Sequence, residues 1–438
     1  MNYYFEGVNV VELKEIAKER IEYIILALAL ATAFIFAIQS NTQGNFYEFD
    51  PYMYTELVSI LAIHGSIPIS GLAYPCGASC SSNRFGVIVP YWLAGYLKGT
   101  NLPLYQIANM YPPIMLILMA LLLFAFFKTK PAKITAVLLL ISIPVIFQQF
   151  TGGMFQEEAI GFMSVIAVFV STYFAFTKKE SIYSIVAGII YMGSLLGSKY
   201  FTVTSAILPA ILLLYAIYLF IVNDNENLKH IINASAIITL FAFVSNLGLL
   251  AYHGGFALSG FSIGKVFIPI NIVLLAVALI IAVILYFNHL GLTIKGRQIR
   301  YSWIILGILI IASIPFAPKT FGYIGYLLSY QHIQNTIPLF QTVQEFVPSQ
   351  YNLSGAIGIL GINYVFYTTI AIITITLLYS IYRKYKNKEN LLVEIMVITT
   401  FYPLLYIGMG VAKYIPDLAL VLVIGIAYVV DEIVKAIE

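Results

Sequence analysis

Apolar runs dominate this chain, and nothing else constrains its fold as much. They lie near residues 23–39, 104–127, 134–150, 158–177, 181–197, 201–222, 231–251, 267–287, 301–317, 363–382, 391–410 and 414–430. A helix needs about 20 apolar residues to cross the hydrocarbon core of a bilayer. Hydrophobic residues make up 61% of the 438 and charged residues 10%, well below the roughly 25% charged residues of a soluble domain. A soluble fold could not hide that much apolar surface. The pattern predicts an all-α polytopic transmembrane protein of about 12 helices, within a range of 11 to 13. We read residues 1–438 as one transmembrane domain with no soluble C-terminal domain. The first run is long enough to stay as a signal anchor rather than be cleaved.

The basic residues set an orientation. With the N-terminus inside, 17 of the 23 Lys and Arg residues fall on the cytoplasmic side. Outside remain Arg84, Lys98, Lys199, Lys265, Lys319 and Lys413. This split follows the positive-inside rule at every loop, and the opposite orientation reverses it. The expected location is therefore a multi-pass protein of the cell membrane with a cytoplasmic N-terminus. The net charge of +3 comes from bases scattered at helix ends, a pattern that gives no reason to expect nucleic-acid binding.

Two extracytoplasmic segments, 40–103 and 318–362, are too long to be turns. Loops above about 15 residues are usually functional or disordered. Tyr, Phe, Ile and Leu run through both, so they are expected to pack as re-entrant or surface helices. No internal repeat is visible, and acids and bases are nearly absent from midspan positions. Both facts disfavour a transporter or flippase. Cys76 and Cys80 sit four apart in the first long segment. They read either as a pair of thiols or, in an oxidising compartment, as a small disulfide.

Seven of the 20 acids lie outside in this topology: Glu48, Asp50, Glu56, Glu157, Glu158, Glu345 and Asp417. Asp50 stands in Tyr47-Glu48-Phe49-Asp50-Pro51-Tyr52, and Glu157-Glu158 follow Gly152-Gly153-Met154-Phe155-Gln156. Glu345 closes Thr342-Val343-Gln344-Glu345. Taken singly, each has an ordinary reading. Acids that open a helix cap it, because the N-terminal dipole favours negative charge. An Asp before Pro is a common turn residue. Taken together, three carboxylate-bearing segments at one membrane boundary could converge on a hard divalent cation, which prefers oxygen ligands.

The three segments, in this order and on this side, resemble the catalytic subunit of oligosaccharyltransferase. Asp50-Pro51-Tyr52-Met53-Tyr54, with Leu57-Val58 and His64-Gly65 following, is similar to the family's first-loop pattern. Tyr74-Pro75-Cys76-Gly77 looks like its Y-P-x-G. Gly153-Met154-Phe155-Gln156-Glu157-Glu158-Ala159-Ile160 matches its G-x-x-D-N-E-A-I in register, and Thr342-Val343-Gln344-Glu345 matches its S/T-V/I-x-E motif. Val411-Ala412-Lys413-Tyr414 stands where the family carries an Arg, and Gly197-Ser198-Lys199-Tyr200-Phe201 where it has a short aromatic turn. The resemblance spans nearly the whole chain. Each motif is short, and the ordered combination is the stronger signal. It implies a GT-C-like fold and an extracytoplasmic active site.

The implied activity is transfer of a glycan from a polyprenyl (dolichyl) phosphate or pyrophosphate carrier, in this family to a protein Asn, with Mn²⁺ or Mg²⁺ as cofactor. The resemblance makes Asp50 and Glu158 metal ligands, with Glu157 or Gln156 as the third. Glu345 becomes a ligand or a group that orients the acceptor amide. Candidate contacts to the donor phosphate are Arg84, Lys199, Lys319 and His332, and Lys413 is the candidate acceptor contact. Snorkelling of a helix-end base to the interface is the competing reading for these lysines. Two departures from the family stand out. Gln156 replaces its first acidic residue, and the W-W-D-Y-G motif that reads the acceptor sequence is absent. The implied partners are the bilayer, the lipid-linked donor, an acceptor polypeptide and a separate acceptor-recognising subunit. The alternatives are a transferase of the same superfold with a hydroxyl or lipid acceptor, and a non-catalytic or flippase-type partner subunit.

Overall fold

The computed structural model describes residues 20–39, 58–59, 62–63, 95, 99, 103–152, 157–197, 207–253, 260–263, 266–289, 293–294, 297–298, 363–410 and 415–437. Their helices follow the apolar runs closely. In chain order they are α1 (Ile21–Gln39), α2 (Leu104–Phe126), α3 (Lys130–Ser142), α4 (Pro144–Gln149), α5 (Glu157–Thr177) and α6 (Ser181–Gly197). After them come α7 (Ile207–Ile221), α8 (Asn225–His253), α9 (Ile270–His289), α10 (Asn363–Asn387), α11 (Leu392–Gly410) and α12 (Ile415–Ile437). Helices occupy eleven of the twelve expected apolar runs. The run 301–317 lies outside the described residues.

The expected span at 134–150 is two helices. Pro144 has no N–H to donate and forces the residue before it out of the helical region. Ile143 accordingly takes φ −76° and ψ 115°, and α4 restarts with Pro144 in its first turn. The architecture is helical as expected, and two short antiparallel hairpins join the described helices. Strands β1 (Gly260–Ile263) and β2 (Val266–Pro269) pair Phe261 with Ile268. Strands β3 (Thr293–Ile294) and β4 (Arg297–Gln298) form the second. The first hairpin takes residues 266–269 from the start of the run expected at 267, so α9 begins at Ile270, directly after Pro269.

Helix packing closes a ring. Going round, α2 packs on α5, α5 on α6, α6 on α8, and α8 on α7 and α9. From α7 the contacts pass to α11, then α12, then α3, and α3 returns to α2. Helix α1 lies against α2 and α3, and α10 against α12 and α11. Aromatic side chains fill the seams. Phe126 meets Phe169 and Tyr173 at centroid distances of 4.9 and 5.0 Å, and Tyr215 stacks between Phe176 and Tyr218. At Gly425 of α12 a Cβ would stand 2.7 Å from Ile373 of α10 and 3.1 Å from Phe401 of α11. The absence of a side chain there lets three helices meet.

The outer wall of the bundle is as apolar as its interior. Leu28 and Phe36 of α1 and Ile375 and Leu378 of α10 are more than 60% exposed. Water would not tolerate such a continuous surface, and hydrocarbon does. Five of the described helices are long and apolar enough to cross a membrane. This is an integral membrane protein.

One end of the bundle is tied by charge. Glu394 of α11 is fully buried and accepts hydrogen bonds from the Ser380 and Tyr428 hydroxyls, both at 2.9 Å, and from the Lys384 ammonium. Glu432 of α12, also buried, accepts from Arg383 and Ser380 at 3.0 Å and pairs with Lys435. Asp431 accepts the backbone N–H of Thr129 at 3.0 Å and its hydroxyl at 2.8 Å. The adjacent Lys130 pairs with Glu22 of α1 at 3.1 Å. Tyr215 and Tyr218 of α7 reach the turn between α10 and α11, donating to the Asn390 side chain and the Glu389 carbonyl. These are the residues that the charge pattern assigns to the cytoplasmic side.

Candidate active site

At the opposite end of the ring, the structure brings together the helix ends that flank two of the three acidic segments, and the segment with Glu345 lies outside the described residues. Helix α1 ends at Gln39 and leads into segment 40–103, which carries Asp50. Helix α2 begins at Leu104, directly after that segment. The turn after α4 leads to Glu157 and Glu158, the first two residues of α5. A single close contact ties α1, α2 and the turn after α4. The N–H of Gly152 donates to the carbonyl of Ala37, in the last turn of α1, at 2.7 Å. Gly152 is buried, and a Cβ built on it would stand 2.1 Å from Oδ1 and 2.9 Å from Cγ of Asn109 of α2.

The turn has its own anchors. Phe150 is fully buried, with its ring 6.2 Å from that of Phe162 one turn into α5. The Thr151 hydroxyl donates to the Gln148 carbonyl at 2.9 Å. The N-terminus of α5 therefore leaves a clamped turn. The partial positive charge of that terminus sits where Glu157 and Glu158 enter the chain. Among the described residues between α1 and α2, Val58 is fully buried within the main core, and residues 58–59 and 62–63 are helical.

Beside this rim, a cleft of about 540 Å³ lies between α1 and the junction of α3 with α4. Thr32, Ala33, Phe36 and Gln39 line one wall, and Ile141 and Phe147 the other. Its surface is hydrocarbon apart from Thr32 and Gln39.

Of the residues singled out in the sequence, Asp50, Cys76, Cys80, Arg84, Gln156, Lys199, Lys319, His332, Glu345 and Lys413 lie outside the described residues. Glu157 and Glu158 are placed in the helix, and their side chains are outside the described set. Among the described residues no group of three or more His, Cys, Asp or Glu side chains could hold a metal ion. Sequence reasoning missed Asn109 and Ala37, whose part in the clamp no local pattern signals. It noted Gly152 only as one of the residues that precede Glu157 and Glu158.

No protein-family model matches the chain, and no curated protein matches it in sequence. Its backbone does match solved structures. An archaeal oligosaccharyltransferase, AglB from Archaeoglobus fulgidus, in complex with an inhibitory peptide and a dolichol-phosphate, superposes with a TM-score of 0.68 at 14% identity. The match covers 96% of this chain and 51% of that one. The Archaeoglobus fulgidus oligosaccharyltransferase also matches in its apo form, at a TM-score of 0.66 and 16% identity. Tethered to an acceptor peptide containing the NVT sequon, it matches at 0.64 and 15%. Both matches cover 96% of this chain, and 51% and 50% of the other. The chain shares its fold with the matched half of the Archaeoglobus fulgidus oligosaccharyltransferase. The chain spans about half the length of the oligosaccharyltransferase structures it matches.

Proposed function

We propose that this protein is a membrane-embedded glycosyltransferase that moves a glycan from a polyprenyl (dolichyl) phosphate or pyrophosphate to the side-chain amide of Asn in a polypeptide, with the help of Mn²⁺ or Mg²⁺. The observation that carries this reading is the clamp at Gly152. It joins the helix that leads to Asp50 and the turn that leads to Glu157-Glu158, within a fold shared with an oligosaccharyltransferase. Asp50 and Glu158 are the first ligands, with Glu157 or the amide oxygen of Gln156 as the third. These are oxygen donors, the kind that hard divalent cations take. When bound, the ion would neutralise charge on the departing phosphate as a Lewis acid.

The protein's own groups do the rest. In the reaction the amide nitrogen bonds to the anomeric carbon as the carbon–oxygen bond to phosphate breaks. The electron pair stays on the phosphate oxygen, and the amide proton leaves to a carboxylate or to water. A neutral amide is a weak nucleophile, so its positioning must supply much of the rate. Glu345 orients that amide or completes the ligand set. Arg84, Lys199, Lys319 and His332 are the candidates to bind the phosphate oxygens, and Lys413 to hold the acceptor. A separate acceptor-recognising chain, the cell membrane as location and an extracytoplasmic site belong to the same reading.

Transfer by the purified protein tests this. With a polyprenyl-phosphate glycan, an Asn-containing peptide and Mn²⁺, the wild type is expected to form glycopeptide detectable by mass spectrometry, and Asp50→Ala to lose at least 100-fold, on the order expected when a catalytic metal site is broken. Full activity in Asp50→Ala refutes the metal site. Transfer only to a hydroxyl or lipid acceptor refutes Asn as acceptor.

A further inference from the structure

We infer that the cleft between α1 and the junction of α3 with α4 is a lipid seat. It takes one hydrocarbon chain of a glycerolipid from the leaflet on the Gly152 side, with the neutral glycerol linkage of that lipid beside Gln39. The seat does not depend on which reaction the protein catalyses.

The depth of the cleft fixes which part of the bilayer it meets. Helix α1 has 19 residues, about 28 Å at 1.5 Å per residue, close to the roughly 30 Å of a hydrocarbon core. Glu22 at one end of α1 is tied to Lys130, so Gln39 stands at the opposite boundary. On α1 the cleft is lined by Thr32, Ala33, Phe36 and Gln39. From Thr32 to Gln39 the helix rises about 10 Å, so the cleft stays within one leaflet. The other wall is Ile141 and Phe147, which stand on either side of the Pro144 break, where Ile143 is extended.

Size and chemistry decide what can enter. A helix with its side chains is about 10–12 Å across and rises about 5.4 Å per turn, so a single turn needs roughly 400–600 Å³. The cleft, about 540 Å³, is no larger than that and cannot take in a spanning helix of a partner. A held water needs two to four polar partners, and the lining offers only Thr32 and Gln39. An empty cleft would forfeit the dispersion contacts of both walls. A hydrocarbon chain meets all three demands. It also has a way in, because Phe36 lines the cleft and is 61% exposed, which makes the cleft continuous with the apolar wall that faces lipid. The polar end of the seat is neutral. No Lys, Arg or His lines it, whereas a lipid phosphate calls for cationic partners. The Gln39 amide suits the ester or ether oxygens of a glycerol linkage. A polyprenyl phosphate fits worse, since its phosphate finds no cation here and its tail far exceeds the length of the cleft.

The test uses the full chain in phosphatidylcholine nanodiscs that contain a phosphatidylcholine with a diazirine in one acyl chain. After irradiation, mass spectrometry compares the label on residues 32–39 and 141–147 with the label on Ile372, Ile375 and Leu378, which are exposed on α10. The wild type is expected to carry about fivefold more label at the cleft, because a chain held between two walls outlasts one lying on an open surface. Thr32→Trp places an indole in the cleft from an exposed position and is expected to bring cleft labelling down to the α10 level. Leu28→Trp adds the same ring at a 65% exposed position outside the lining and is expected to leave it unchanged. Gln39→Leu removes the polar anchor and is expected to lower cleft labelling about two- to fivefold. Melting curves check folding, and the wild type and Gln39→Leu decide even if Thr32→Trp does not fold.

Equal labelling of the cleft and α10 in the wild type overturns the seat. So does unchanged cleft labelling in a folded Thr32→Trp or in Gln39→Leu. Label on α10 with none at the cleft shows that polypeptide fills the space, which also overturns it. A parallel sample carries a polyprenyl phosphate with a diazirine in its tail at the same mole fraction. That probe is expected to label the cleft no more than α10, and preferential labelling by it overturns the assignment to a membrane glycerolipid.

Discussion

Glu394→Ala should be the most damaging single truncation at the charged end of the bundle. The carboxylate is fully buried and holds three donors: Ser380, Tyr428 and Lys384. Removing it leaves Lys384, whose side chain is only 13% exposed, with Glu432 at 3.7 Å as its remaining carboxylate. Glu432 is already shared with Arg383, Ser380 and Lys435. Taking one partner from a buried pair costs about 3–5 kcal/mol, mostly from the stranded opposite charge. For large chains each kcal/mol moves the melting temperature by about 2 °C. A fall of roughly 6–10 °C is therefore expected in detergent, read by intrinsic fluorescence or by loss of monodispersity on heating. Lys384→Ala strands Glu394 instead and should cost a similar amount. Together the two should cost less than their sum by about 1.5–3 kcal/mol, because neither charge is then left alone. Additivity within about 0.5 kcal/mol would refute the coupling and reduce the network to independent hydrogen bonds.

Two further substitutions probe the packing. Gly425→Ala pushes a methyl between Ile373 and Phe401 and is expected to cost about 1–3 kcal/mol as overpacking, measurable as a lower melting temperature. Thr129→Val keeps the shape and the backbone N–H to Asp431 but removes the hydroxyl that donates at 2.8 Å. A loss of about 1.5–3 kcal/mol is expected for a hydrogen bond to a charged group, by the same measurement, and no change in melting would show that the contact is idle.

Much of the helix plan was legible because the bilayer imposes one rule, about 20 apolar residues per crossing, and the chain obeys it run after run. Where the reading failed, a local effect overrode hydropathy. Pro144 split one run, and a hairpin took residues 266–269 from the head of another, since apolar β-strand and apolar helix look alike over four residues. The charged network was half visible. Arg383 and Lys384 were counted as interfacial bases. Positive-inside counting assigns a side of the membrane but does not distinguish a snorkelling lysine from one turned inward to a buried Glu394. Ser380 and Tyr428 gave no sign of their role, because a hydroxyl in an apolar helix is common and its partner lies on another helix. At the acidic rim, the family resemblance drew the eye to Asp50, Glu158 and Glu345. The contact that joins α1, α2 and the turn after α4 runs through a carbonyl, an amide side chain and a missing methyl group. None of these carries a charge or a motif, so none can be recognised before the helices are packed.

The turn between α2 and α3 has a consequence for how the protein is made. Its Lys130 reaches back to Glu22 of the first described helix, and its neighbour Thr129 reaches forward to Asp431 of the last, 302 residues later. Ribosomes add about 5–20 residues per second, so Thr129 is in place for roughly 15–60 seconds before its partner exists. For that interval the ring has its seam open between α3 and the absent α12. The early helices must sit in the membrane with one polar contact pending. Closure of this seam thus waits for α12, and a chain interrupted before Asp431 would present an open seam to whatever surveys unfinished membrane proteins.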